Sequence, residues 1–168
     1  FTPTATYPAS TNIQVRLLNT ITDVAGNTLL NPQNFTFRTA VGPDSTPPTV
    51  EAVCPVAGTT GLGTNAIVLA RFSEPIHPES VNASSFRVAD DEGALVPGTI
   101  AFSRGDRMVT FTPAEPLDPE TVHTVTLSSR IIDLGGNAID PASLTFTTGP
   151  GADVAFPEVL SVNPVNGA

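Results

Sequence analysis

The sequence predicts an all-β chain built of short antiparallel strands, and three observations support this. Seventeen prolines and thirteen glycines interrupt the 168 residues at short intervals, which favours strands and turns over long helices. Threonine, valine, isoleucine and phenylalanine dominate between these breaks, and such residues suit a pleated, half-buried surface. The third observation is an internal repeat, in which the same strand and turn motifs recur in the same order.

The repeat has a period of about 109 residues. FTPTATYPASTNIQVRLLNTITDVAGN at 1–27 aligns with FTPAEPLDPETVHTVTLSSRIIDLGGN at 111–137, and PPTVEAVCPVAGT at 47–59 aligns with FPEVLSVNPVNGA at 156–168. The predicted organisation is the C-terminal half of one repeat at 1–40, a linker at 41–47, a complete repeat at 48–149, a linker at 150–155 and the first strand of a further repeat at 156–168.

Alternation of apolar and polar residues predicts seven strands in the complete repeat. In order, they are 48–54, 65–73, 85–90, 96–102, 107–112, 121–128 and 143–148. From the second strand on, the inward faces are assigned to Val68, Ala70 and Phe72; Phe86 and Val88; Ile100 and Phe102; Val109 and Phe111; Val125 and Leu127; Leu144 and Phe146. Seven short strands in about 100 residues favour an immunoglobulin-like antiparallel β-sandwich. The tryptophan and paired cysteines of antibody domains are absent, so this prediction rests on strand spacing.

Specific motifs strengthen this prediction. STPPTV, CPVAG, VLARFSEPIHPESV, VTFTPAEPLDPETVHTVTLSS and IIDLGGNAID…LTFTTG resemble the bacterial Ig-like domain of S-layer and long surface proteins. The resemblance covers 46–149 and both flanking partial repeats. It implies Ig-like domains in tandem that serve as spacers or scaffolds. His77 and His123 depart from the family pattern, which commonly has an acidic or apolar residue at the first position and an aromatic residue at the second.

Composition excludes several classes of function. Acidic residues outnumber basic ones 16 to 7, and the seven cations are scattered arginines, so a nucleic-acid partner is not expected. The absence of lysine excludes a Lys–Asn isopeptide crosslink. Cys54 is the only cysteine, which excludes an intrachain disulfide and a cysteine-based zinc site. No apolar run approaches the roughly 18 residues of a membrane span, so no membrane insertion is expected in this segment.

A short polar motif occurs twice, as DVAGN at 23–27 and as DLGGN at 133–137. An aspartate carboxylate accepts backbone N–H groups two or three residues further on, and this closes a turn. Glycine and asparagine are the residue types that tolerate positive φ. The motif therefore predicts a chain reversal between the sixth and seventh strands that needs no buried partner.

Calcium binding is a second interpretation of the same motif. Asp44 of the linker, Glu74 after the second strand and Asp133 after the sixth strand are expected to converge where the chain enters the domain. Hard cations favour such groups of carboxylate oxygens. Pro47 and Pro48 stiffen the same junction without metal, because proline fixes φ. No cofactor is required, and calcium is the one predicted ligand.

The sequence predicts no enzyme. His77 lies between prolines and is expected in an exposed loop, whereas His123 aligns with Ile13 and is expected to be a half-buried packing residue. Asp90 and Asp91 fit an exposed hairpin turn better than a glycosidase pair. No G-x-S-x-G nucleophile motif is present, and the chain has no lysine for a phosphate-binding loop.

The predicted function is a structural or spacer module of an extracellular bacterial surface protein, stalk, S-layer or fibre. The alternative is an adhesive, carbohydrate-binding or ligand-binding Ig-like module attached to an adhesin or a secreted enzyme. The absence of tryptophan and the single tyrosine, Tyr7, argue against a general carbohydrate-binding platform. Because 1–40 supply only the last strands of a sandwich, we expect other strands to complete them, from the same chain or from a neighbouring copy in a fibre. The chain does not begin with methionine and is expected to be a piece of a longer protein.

Overall fold

The first 46 residues form a unit of their own, built around one hairpin. The computed structural model describes residue 3 and residues 5–159, and contacts divide the chain after Thr46. Strands β1 (Asn12–Leu17) and β2 (Gln33–Arg38) pair antiparallel in this first unit. The strand predicted at 156–168 falls mostly outside the described residues.

The second unit, from Pro47 onward, contains every strand predicted for 48–149. Its described strands are β3 (Val50–Cys54), β4 (Val68–Phe72), β5 (Phe86–Ala89), β6 (Gly98–Ser103), β7 (Met108–Pro113), β8 (Val122–Leu127) and β9 (Ala142–Thr147). They form one sheet in the order β3-β4-β7-β6 and a second in the order β5-β8-β9, all antiparallel. The predicted immunoglobulin-like sandwich is thereby confirmed.

The predicted inward faces build the core between the two sheets. The fully buried apolar side chains of the strands are Val68, Ala70, Phe72, Phe86, Val88, Val109, Val125, Leu127 and Phe146. Their period of two follows from the alternation of side chains along a strand. Burying each of the larger ones stabilises the fold by about 1.5–3 kcal/mol. Ile100, Phe102 and Leu144 pack against this core while remaining partly exposed.

Strand ends differ from the sequence prediction where turns intervene. β4 begins at Val68 rather than at 65 because the Ala66 N–H donates to the Gly63 carbonyl at 3.0 Å and closes a turn. A short 3₁₀ helix, Pro78–Ser80, follows β4 and was not predicted.

The segment before β4 protects a sheet edge. The Gly58 N–H donates to the Thr145 carbonyl at 2.8 Å, and the Thr147 N–H donates to the Thr59 carbonyl at the same distance. Leu62 continues this pairing with a parallel bridge to Thr148. The outer edge of β9 is therefore covered, which removes a template for unwanted strand pairing.

Candidate functional site

Two loops meet at one end of the second unit and position the predicted site. Ile76, in the loop after β4, forms an antiparallel bridge with Asp133, in the loop after β8. The adjacent His77 N–H donates to the Ile132 carbonyl at 2.8 Å. The Ser80 hydroxyl donates to the His77 carbonyl at 2.6 Å and accepts the Ile132 N–H at 3.2 Å. These bonds fix the two loops side by side.

Asp133 closes the predicted turn. Its Oδ1 accepts the Asn137 backbone N–H at 2.8 Å, and its Oδ2 accepts the Asn137 side-chain amide at 2.9 Å. Gly136 has a φ of 90°, a conformation that favours glycine. The chain reversal is confirmed, and its bonds extend four residues on. From the sequence, Asn137 was expected only to tolerate positive φ. The structure shows that its side-chain amide also binds the Asp133 carboxylate.

The electrostatics of this turn keep Asp133 ionised. The side chain is only 1% exposed, and burial is the strongest single influence, raising the pKa of the carboxyl. Hydrogen bonds from the Asn137 side chain, and then from the backbone of Asn137, Gly135 and Gly136, together outweigh burial. The net effect holds the pKa below its ordinary value of 3.8. A carboxylate that accepts several N–H bonds is stabilised in its charged form.

The two predicted metal ligands of the second unit lie close together. Carboxylate oxygens of Glu74 and Asp133 are within 4.8 Å of one another, and Glu74 is half-buried. Two carboxylates at this separation repel each other, and a hard cation would offset that repulsion. Asp44 belongs to the first unit, where its Oδ1 accepts the Thr46 N–H at 3.0 Å. The role of Asp44 as a third ligand stays a prediction.

The first unit contains the same turn in an exposed setting. Oδ1 of Asp23 accepts the N–H groups of Ala25 and Asn27, both at 2.9 Å, and Oδ2 accepts the Asn27 side-chain amide at 2.9 Å. Gly26 has a φ of 88°. The Asn27 side chain is the main cause that lowers the pKa of Asp23. Burial is therefore unnecessary for the geometry of the motif, as predicted.

Both histidines are more buried than predicted. His123 is fully buried rather than half-buried, and its ring stacks on Phe146 with centroids 5.3 Å apart. Nδ1 of His123 donates to the Thr121 carbonyl at 3.1 Å, because a carbonyl oxygen only accepts. His77 is half-buried rather than exposed, because its loop is tied to the loop after β8. Within the described chain, Nδ1 of His77 and Nε2 of His123 lack hydrogen-bond partners.

A small cavity adjoins His123. Its volume is about 160 Å³, and its lining includes the acidic residues Asp90, Glu115 and Asp118. Across the residues that the structure describes, these side chains do not bring three ligand atoms close enough to share one metal ion. The burial of His123 and its stacking on Phe146 agree with the packing position that the aligned isoleucine of the first unit predicts.

Two other predicted features have structural roles. Oδ1 of Asp90 accepts the N–H groups of Glu92 and Ala94 at 3.0 and 2.8 Å, which closes the turn between β5 and β6. The predicted chain reversal is confirmed by a bridge between Ala89 and Leu95, but β5 and β6 lie in different sheets and do not pair as a hairpin. Cys54 ends β3 as an exposed free thiol. In the described part of the chain, no helix has the length and apolar character of a membrane span.

Comparisons with solved structures give the fold. CopC from Methylosinus trichosporium OB3b is 16% identical with a TM-score of 0.50, and the match covers 64% of this chain and 99% of that chain. PcoC, a methionine-rich copper resistance protein from Escherichia coli, is 16% identical with a TM-score of 0.50, covering 61% and 99%. The surface layer protein SbsC, domains 1–6, is 18% identical with a TM-score of 0.47. That match covers 62% of this chain and only 14% of the SbsC chain.

Sequence comparison gives the family. Curated protein sequences provide no match. The family model of the bacterial Ig-like domain matches residues 44–148, which include all seven strands of the second unit. The match extends over more than half of the 168 residues, and we conclude that the chain belongs to the bacterial Ig-like domain family.

Proposed function

We propose that this chain is a non-catalytic spacer module of an extracellular bacterial surface protein, stalk, S-layer or fibre, built from tandem Ig-like repeats. The observation that carries the proposal is the matching register of two hairpins. Asn12 lies opposite Arg38 in the first unit, and Val122 lies opposite Thr147 at the aligned positions of the second. A chain that repeats one folding unit extends its length by adding copies, which suits a spacer.

In this proposal the first unit is the C-terminal half of a preceding repeat, with 41–47 as a linker before the complete repeat at 48–149. Its hairpin exposes the apolar face that the second unit buries. Leu17 is 38% exposed where the aligned Leu127 is 1% exposed, and Phe37 is 40% exposed where Phe146 is 1% exposed. The partner that fits this face is the opposite sheet of an Ig-like repeat.

Sedimentation distinguishes the two sources of that sheet. If strands of a neighbouring copy cover the hairpin, the 168-residue protein will associate with increasing concentration, and Phe37→Asp will abolish the association. If the strands come from the same longer chain, the protein will remain a monomer, and a version extended upstream will bury Phe37. A monomeric extended chain that leaves Phe37 exposed would contradict the proposed half repeat.

The spacer role is tested by replacement in the parent protein. Exchanging 48–149 for an unrelated Ig-like domain of equal length keeps the distance between flanking segments and is expected to preserve surface display and attachment. Deleting 48–149 is the matched variant and is expected to shorten that distance by one domain. Loss of attachment after the exchange, with display intact, would instead support the adhesive or carbohydrate-binding alternative. If the parent protein can be labelled only after the cells are lysed, and not on intact cells, an extracellular location would be contradicted.

Calcium is a separate proposal, supported by the short distance between the carboxylates of Glu74 and Asp133. We expect calcium to raise the melting temperature and EDTA to reverse the rise. Glu74→Gln and Asp44→Asn should each reduce the calcium-dependent shift, whereas Glu92→Gln, in the turn between β5 and β6, should retain it. An equal midpoint with calcium and with EDTA would contradict a stabilising calcium site in this protein.

A further inference from the structure

The chain that leaves β9 remains bonded to the second unit. The Gly149 N–H donates to the Leu62 carbonyl at 2.7 Å. Two residues later, the Gly151 carbonyl accepts the Thr64 N–H at 3.0 Å. The linker predicted at 150–155 therefore follows the surface of its own domain rather than departing directly from the end of the strand.

Asn65 holds this exit segment at a third point. Its side-chain Nδ2 donates to the Asp153 carbonyl at 2.8 Å, and its Oδ1 accepts the Asp153 N–H at 2.9 Å. The amide thus offers the donor and acceptor pair that a neighbouring strand would offer. Two bonds to one residue restrict its orientation more than a single bond does, although each is exposed to competition from water.

Gly63 makes room for this contact. A Cβ atom at Gly63 would lie 2.5 Å from the Asp153 nitrogen and 2.7 Å from the Asp153 Cβ. Both distances are too short for non-bonded atoms, so any side chain at Gly63 would displace Asp153 or Asn65. The approach of the exit segment to the domain therefore depends on glycine at this position.

Asp153 also closes a turn with the residues that follow it. Its Oδ1 accepts the Ala155 N–H at 2.9 Å, which is the same short turn that Asp44 forms with Thr46 at 3.0 Å. Asp44 and Asp153 occupy equivalent positions in the repeat, since both precede the segments aligned at 47–59 and 156–168. Each linker therefore contains an aspartate-closed turn immediately before the next aligned segment.

We infer that Asn65 and Gly63 form a clasp that holds Asp153 and fixes the direction in which the chain leaves the domain. The inference deepens the proposed spacer function, because a fixed exit limits the angles that the following segment adopts. The clasp needs no metal. Its residues lie on the segment before β4. The sequence pattern predicted Asn65 as the first residue of the second strand and predicted no contact of either residue with the following linker.

NMR relaxation and amide hydrogen exchange of the 168-residue protein test the clasp. In the wild type, the amides of Asp153 and Ala155 should have order parameters near those of rigid backbone, about 0.85. Asn65→Ala removes both side-chain bonds. Gly63→Ala retains the Asn65 side chain but introduces a Cβ atom that would lie 2.5 Å from the Asp153 nitrogen and 2.6 Å from the Asn65 Oδ1. Each variant should lower the Asp153 order parameter below about 0.6 and accelerate exchange of its N–H.

Asn82→Ala is the matched control, because the Asn82 side chain accepts bonds from Ser84 in another loop. It should leave Asp153 unchanged. Protection of the Val109 amide in the core reports whether a variant remains folded. If Asn65→Ala loses that protection, Asn65→Asp serves instead, since it retains the acceptor for the Asp153 N–H and loses the donor.

Two results would overturn the clasp. One is a wild-type Asp153 amide as mobile as a free chain end. The other is a folded Asn65 variant with an unchanged Asp153 order parameter. These NMR measurements do not depend on surface display. A failed domain exchange would reject the spacer function without rejecting the clasp. An unchanged Asp153 order parameter in a folded Asn65 variant would reject the clasp without rejecting the spacer function.

Discussion

The β1–β2 hairpin of the first unit and the β8–β9 hairpin of the second share their hydrogen bonds but not their burial. The Thr11 N–H donates to the Thr39 hydroxyl at 2.9 Å, and the Thr121 N–H donates to the Thr148 hydroxyl at 3.0 Å. The DVAGN and DLGGN turns match in the same way. Among the residues that the structure describes, the hydrophobic core includes side chains of the second hairpin and none of the first.

This difference separates local from tertiary determinants of the fold. Strand register and the aspartate turn form in both settings, so neither depends on the burial that the second hairpin has. Burial of Phe146 requires the second sheet, whereas in the first unit Phe37 packs edge-on against Tyr7 with ring centroids 5.7 Å apart. Variants at aligned positions should therefore affect the two units unequally when they alter a group that only the second unit buries, and equally when they change only the backbone conformation of the turn.

The largest difference is expected at the aligned phenylalanines. Phe146→Ala should destabilise the second unit by about 3–5 kcal/mol, because it leaves a cavity in a closed core. Phe37→Ala should have a much smaller effect on the first unit, since that side chain already contacts solvent. Urea unfolding, monitored through the NMR signals of each unit, measures the loss of stability in both variants. Equal losses would show that another surface covers the first hairpin in solution.

Substituting the turn aspartates should give the next largest difference. In Asp133→Asn, an amide group replaces one acceptor oxygen and opposes the Asn137 side-chain donor in a buried site. The expected cost to the second unit is about 2–3 kcal/mol. Asp23→Asn breaks the same bonds where water replaces them, so the first unit should lose far less. The same unfolding experiment measures both variants, and a similar loss in both units would contradict a role for burial.

The sequence was sufficient to predict what depends on local pattern. The seven strands, the inward face of Val68, Ala70 and Phe72, and the two aspartate turns all follow from period-two alternation and turn chemistry. Contacts between distant positions were not predictable in the same way. The Asn65–Asp153 bonds join residues 88 positions apart, and nothing in the local sequence around Asn65 distinguishes it from an ordinary exposed asparagine.

The burial of the two histidines shows the same limit. The alignment of His123 with Ile13 correctly indicated packing, but the degree of burial depends on Phe146 and on the opposite sheet. His77 was expected to be exposed because prolines flank it. Its partial burial results from the bonds that join its loop to Ile132. These bonds connect two loops that are far apart in the sequence, so the local pattern around His77 does not predict them.

Alanine at the turn glycines should have a smaller and equal effect in the two units. Gly26 and Gly136 have φ values of 88° and 90°, and a Cβ at either position meets no atom within 4 Å. The cost is therefore backbone strain alone, about 1–2 kcal/mol in each unit. Gly42→Ala is the control, since a Cβ there also meets open space but the glycine has no positive φ. A larger loss in the second unit would indicate that packing also restricts its turn.

The smallest effect is expected in the pH dependence of stability. The pKa of Asp133 in the folded protein lies below its ordinary value of 3.8, because hydrogen bonds favour the carboxylate. Its contribution to stability is therefore complete above about pH 4, near the unfolded-state pKa, and is lost as the pH falls through the folded-state pKa.

Urea midpoints of the second unit measured from neutral pH into this acidic range should decrease for the wild type. The gap between the wild type and Asp133→Asn should narrow over the same range, since the variant has no carboxylate to protonate. Carbon chemical shifts of the Asp133 carboxyl measure its pKa directly. The exposed Asp23 should also titrate below 3.8, because the Asn27 amide and N–H stabilise its charged form. An Asp23 that titrates at its ordinary value would mean that the turn depends on burial after all, and the equivalence of the two hairpins would then fail at their most similar point.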